Sequence, residues 1–168
     1  HDVAQALWKE NIRECKILAG MLQPIDTFYP EIADIRVEDM HYPEIAELTC
    51  MNLFQHLPYA SDKAFQWMAD EGEYFQFCGY MLMARLLMRG SEMNERAENE
   101  LIDQALAALQ SEGALVCRGA STALRRYAFQ CPENAKKLLK ILAPLAGSSN
   151  SSLIALVEDI KLEAESLH

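Results

Sequence analysis

The side chains with the most chemical potential are concentrated in one part of this 168-residue chain. Arg118, Arg125 and Arg126 fall within Ala114 to Cys131, and Lys136, Lys137 and Lys140 follow closely. Between Arg118 and Lys140 these six cations meet one acidic residue, Glu133, giving a local balance of +5 in a chain of net charge −10. Clustered cations of this kind suit a polyphosphate backbone, and they suit equally a solvated pair of helix surfaces. A second constellation, His41-x-x-Glu44-x-x-Glu47, shares one helical side if the helix reaches back to His41. A di-iron carboxylate site needs a matching Glu-x-x-His on a facing helix. No second copy exists, since His56 is followed by Leu57-Pro58 and His1 and His168 are terminal. No metal and no cofactor is expected. Tyr74, Phe75, Phe77 and Tyr80 crowd one segment as a stacking platform or, with Phe77 and Tyr80 three apart, as packing. Trp8 and Trp67 sit among apolar residues and read as core before they read as base-stacking groups. No Ser-His-Asp set, phosphate-binding glycine loop or Cys-His nucleophile pair is legible.

The elements that must position these groups are helices. Apolar residues recur at helical spacing, as in Leu101, Ile102, Ala105, Leu106 and Leu109, while alternating β-branched runs and Asn-Gly or Asp-Gly turns are missing. Punctuation predicts helices over 11–23, from Asp26 to about Asp39, from Pro43 to Leu57-Pro58, from Ser61 to Ala69, and from Gly72 to Arg89. Further helices are expected over 95–110, 114–130, Pro132 to Gly147, and Ser151 or Ser152 to about Ser166. The second helices of successive pairs begin near Asn11, Pro43, Gly72, Ala114 and Ser151, at intervals of 32, 29, 42 and 37 residues. Periods in this range predict an all-α, HEAT-like α-α superhelix of about five helical pairs, a single domain over 1–168. Gly119, Ala120, Ser121, Thr122 and Ala123 mark 114–130 as an inner helix that a neighbour can approach closely. Arg13, Arg85, Arg89, Arg118 and Arg125 all fall on predicted inner helices, where they would track phosphates or pair with the acids of adjacent repeats.

Hydrophobic residues make up 51% of the chain, enough for a packed core, and no run approaches the roughly 20 apolar residues of a membrane span. The start, His1-Asp2-Val3-Ala4, has neither a secretory signal nor an initiator Met, so the sequence is expected to begin inside a longer chain. Cys15, Cys50, Cys78, Cys117 and Cys131 are odd in number and lack a C-x-x-C, which points to small hydrophobes in a reducing cytoplasm.

Ala6-Leu7-Trp8, Arg13-Glu14-Cys15 and Ala19 together resemble the opening inner helix of the bacterial DNA alkylation repair family, the AlkD-like proteins. Trp67-Met68-Ala69 with Cys78-Gly79-Tyr80 and Met83-Ala84 resembles that family's central repeat. Arg118-Gly119-Ala120-Ser121-Thr122-Ala123-Leu124-Arg125-Arg126-Tyr127, then Pro132, is similar to its most typical repeat. The resemblance implies a concave basic groove for duplex DNA and excision of N3- or N7-alkylated purines by glycosidic-bond hydrolysis. The lesion and the developing oxocarbenium are cationic, and a buried carboxylate and aromatic faces stabilise such charge. Carried onto this chain, the resemblance gives Asp39 as the catalytic carboxylate and Arg13, Arg85, Arg118, Arg125, Arg126 and Lys136 as DNA-binding residues. Two aromatic positions of the family read Arg36 (or Ile35) and Thr122 here. The alternative is a catalytically silent scaffold for a protein or an unmodified nucleic acid, which the acidic total, Arg36 and Thr122 fit. Duplex DNA or a protein is the expected partner of a monomer.

Overall fold

Proline and glycine decide where most of the helices begin and stop. The computed structural model describes residues 2–111, 113–145, 147 and 149–166. Among them are ten α-helices: α1 (Asp2–Lys9), α2 (Arg13–Leu22), α3 (Pro30–Glu38), α4 (Pro43–Asn52), α5 (Ala60–Met68), α6 (Glu73–Met88), α7 (Glu95–Leu109), α8 (Ala114–Phe129), α9 (Pro132–Leu142) and α10 (Ser151–Ser166). Pro30, Pro43 and Pro132 occupy first-turn positions, where the missing N–H would have had no helical acceptor. The Asn94 side chain accepts from the Ala97 amide at 2.8 Å, and the Asn150 side chain from the Ser152 and Leu153 amides at 3.0 and 3.2 Å. Gly90, at φ 83°, closes α6: its N–H reaches Leu87 O at 3.1 Å and that of Ser91 reaches Leu86 O at 3.0 Å.

Several predicted boundaries move. Asp26 does not start a helix; 25–27 form a 3-10 turn and α3 begins at Pro30, because a residue before proline is pushed out of the helical region and Tyr29 is extended. Ser61 lies inside α5, which starts from Tyr59 after the Leu57-Pro58 turn. The Pro43 helix stops at Asn52, where Leu53 leaves helical geometry and turns, with Phe54, into the core. The Pro132 helix stops at Leu142, since Pro144 cannot extend it.

The inner helices α2, α4, α6, α8 and α10 pack in succession, with α6 against α8 the largest of these contacts. The outer helices α1, α5, α7 and α9 lie on α2, α6, α8 and both α8 and α10, while α3 rests on α6. This is an all-α helical-repeat fold. The inner helices begin at 13, 43, 73, 114 and 151. Trp8, Phe28, Phe54, Trp67, Phe77, Tyr80 and Tyr127 anchor one continuous core, so both tryptophans are packing residues. No helix among the described residues is long and apolar enough to cross a membrane.

One polar cluster ties α3 to α5. Asp34 accepts from Lys63 Nζ at 2.9 and 2.8 Å and from Trp67 Nε1 at 2.8 Å. Asp34→Ala orphans a fully buried indole N–H, whereas the lysine can lift toward water. It should lower unfolding free energy by about 1–2 kcal/mol in urea titrations.

Candidate functional site

The exposed side of the inner helices carries a row of paired opposite charges. Arg118 and Arg125 are seven residues apart on α8, two turns on one side. The Arg118 guanidinium lies 5.0 Å from the centre of the Phe77 ring on α6, and its Nη2 reaches across to Glu47 Oε1 on α4 at 2.8 Å. Glu44, one turn before Glu47, accepts Arg13 of α2 in two-pronged fashion, through Nε at 2.8 Å and through Nη2. Arg13 also bonds its neighbour Glu14 at 3.0 Å. At the other end, Arg125 Nη2 meets Asp159 of α10 at 2.7 Å. The hydrogen bond from Arg13 holds the Glu44 carboxyl below the usual glutamate range, and the Glu44 and Glu14 bonds push Arg13 up. Beside the row, a 460 Å³ groove between α8 and α10 is lined by Arg118, Ser121, Thr122, Arg125, Asn150 and Ser152. Thr122 spends its hydroxyl on the Arg118 carbonyl at 2.8 Å, and Arg125 Nε is buried without an acceptor.

The remaining predicted basic residues lie elsewhere. Arg85 is half-buried on α6. Arg126 points about 100° around the helix from Arg125 and lines a separate 670 Å³ hollow with Met88, Met93, Glu98 and Phe129. Lys136 is exposed on the outer helix α9. Arg89 closes α6 and donates to the Gln55 carbonyl at 2.6 Å. The structure therefore brings Arg13, Arg118 and Arg125 into one row and leaves Arg126 and Lys136 apart from it. The three carboxylates of the row were not among the predicted binding residues. For Glu44 and Glu47 the signal was their spacing of three, which also fits a metal motif, while Asp159 carried none; His41 precedes α4 and does not join that helical side.

Asp39 ends α3 and is exposed, accepting the Trp8 indole N–H at 3.3 Å. Lys16 stands 4.3 Å from the Trp8 ring centre and donates to the Trp8 carbonyl at 2.6 Å. Arg36, 2% exposed, lies 5.0 Å from the ring centres of both Trp8 and Phe28. Its Nη2 donates to Gln23 Oε1 at 2.8 Å, and its Nη1 is buried without an acceptor. Burial pushes Arg36 down to about 10 and lowers Lys16, with Asp39 pulling both the other way. The carboxylate thus shares its surroundings with two cations. No family model, curated protein or solved structure matches the chain. Its own residues carry the functional reading. Among the described residues no hydrogen bond or ion pair links Asp39 to Arg13, Arg118 or Arg125.

All five cysteines are free thiols. Cys50 and Cys78 are fully buried where α4 meets α6, and Cys78 Sγ lies 3.5 Å from Met40 Sδ. Burial pushes the Cys78 thiol well up, which makes it a core residue and a poor nucleophile.

Proposed function

We propose that this chain is a DNA-alkylation-repair-like protein that holds duplex DNA along its inner-helix face and hydrolyses the glycosidic bond of N3- or N7-alkylated purines. The observation that carries the reading is the row of Arg13, Arg118 and Arg125 across α2 and α8, ordered by a continuous inner-helix stack. Guanidinium groups spaced along such a face suit a repeating phosphate backbone. Asp39 is the carboxylate that would stabilise the developing oxocarbenium. A catalytically silent scaffold is the second reading. It is favoured by the burial of Arg36 beside Asp39, which opposes a cationic lesion, and by the use of both tryptophans as core.

Gel shifts with methylated and plain duplex, with base release assayed from the same tubes, separate the two. The glycosylase reading expects salt-sensitive binding and 7-methylguanine release that falls about 100-fold or more in Asp39→Asn. Release no greater than a protein-free blank removes the enzymatic claim and leaves the scaffold. Loss of duplex binding in Arg118→Glu, with the fold intact, is expected under either reading that involves nucleic acid.

A further inference from the structure

Each arginine of the inner row is engaged by an acid from another inner helix, at a sequence separation of 31 residues for Arg13–Glu44, between adjacent α2 and α4, and of 71 for Glu47–Arg118, which reaches from α4 across α6 to α8. The Arg125–Asp159 pair repeats the arrangement between α8 and α10. These pairs are open to water: the side chains are 47 and 52% exposed in the first pair, 52 and 38% in the second, and 29 and 45% in the third. A carboxylate offers a guanidinium the same two-oxygen edge that a phosphate does. Phe77 supports the Arg118 plane whichever anion it meets.

We propose that Glu44, Glu47 and Asp159 are intramolecular stand-ins for phosphate, which occupy the arginine row in the free protein and hold weak polyanions off it. The proposal rests on the inner face being a nucleic-acid surface. An incoming phosphate must replace a carboxylate already at hydrogen-bond distance, and the displaced carboxylate then repels it at short range. One phosphate gains little from that exchange. A duplex, presenting several phosphates to the row at once, gains from each further exchange at a raised effective concentration. The face is therefore selective for regular, multivalent phosphate arrays over nucleotides and inorganic phosphate.

The test compares two variants of equal charge change. Glu44→Gln/Glu47→Gln/Asp159→Asn frees the row, while Glu95→Gln/Glu100→Gln/Asp103→Asn removes three exposed acids from the outer helix α7. Anisotropy with a labelled duplex of about 16 base pairs across a salt series should show the row variant binding at least about 10-fold tighter than wild type at low salt. Its log–log salt slope should steepen by up to about 3, one phosphate per freed arginine. The α7 variant should change affinity by less than about 3-fold. Circular dichroism establishes that each variant is folded, and Glu47→Gln alone, expected at about 2–3-fold tighter, serves if the triple variant is not. Equal binding by wild type and row variant, or equal gains from both triple variants, overturns the proposal and leaves the DNA reading standing. No duplex binding by any of the proteins removes both.

Discussion

Arg36→Met should unfold at a higher denaturant concentration than the wild-type protein and Arg36→Ala at a lower one, with about 3 kcal/mol between the two variants. The guanidinium is fully buried, makes one hydrogen bond to Gln23, and leaves Nη1 with no acceptor. Its counter-charge, Asp39, is exposed and acts only at range. The drop to about 10, well below the usual guanidinium value, is set by burial against the pull of Asp39 and corresponds to a cost of about 3 kcal/mol. The sign is that of a base whose folded-state value lies below its unfolded one. The cost is therefore present in full below about pH 10 and is relieved only as pH climbs above that value. Between pH 5 and about 9 this group contributes no slope to stability. Methionine removes the charge and keeps most of the volume between Trp8 and Phe28; it forfeits the Gln23 bond and exchanges two cation–π contacts for sulfur–aromatic ones. Alanine removes the charge as well but opens a void between two rings, and the cavity outweighs the relief. At about 2–4 °C per kcal/mol for a chain of this size, the two variants should differ by about 9 °C in Tm. Equal midpoints would mean that the site collapses around alanine.

The inner-helix stack was legible because Pro43, Gly72, Gly113 and the serines that open α10, Ser151 and Ser152, are strong punctuation, and punctuation is local. The Trp8 and Trp67 core readings were legible for the same reason, since each sits in an apolar helical stripe. The charge row was half legible. Helical periodicity places Arg118 and Arg125 on one face of α8, but it carries no information about which acid lies opposite, and Glu47 is 71 residues away. Counting cations from Arg118 to Lys140 also joined two helices with different roles, so the inner Arg118 and Arg125 were grouped with Lys136 on the outer α9. Arg36 had no local signal. Its neighbour Ile35 is exposed while Arg36 is buried, the reverse of what residue type suggests, because α3 turns its arginine toward the aromatic pair formed by Trp8 and Phe28.

Gly79→Ala should lose about 2 kcal/mol, although alanine is the better helix former by about 1 kcal/mol. A Cβ at this position would stand 2.6 Å from the Met68 backbone nitrogen and 2.9 Å from the Ala64 carbonyl oxygen. Both are main-chain atoms of α5, which cannot rotate aside as a side chain can, so the two helices must separate. Gly119 faces a milder constraint. Its Cβ would meet the Phe77 ring at 3.1 Å and Tyr80 Cβ at 3.2 Å, and a small ring movement absorbs much of that. Gly20, inside α2 with nothing within 4 Å of where a Cβ would stand, supplies the control: Gly20→Ala should gain up to about 1 kcal/mol. Urea titrations of the three variants should therefore rank Gly20→Ala above wild type, Gly119→Ala near it, and Gly79→Ala well below. The consequence reaches the charge row, because displacing α6 from α5 also moves Phe77, the ring that supports Arg118. A Gly79→Ala protein as stable as wild type would show that α5 and α6 have slack at their crossing, and the α6 platform under Arg118 would then be softer than this packing requires.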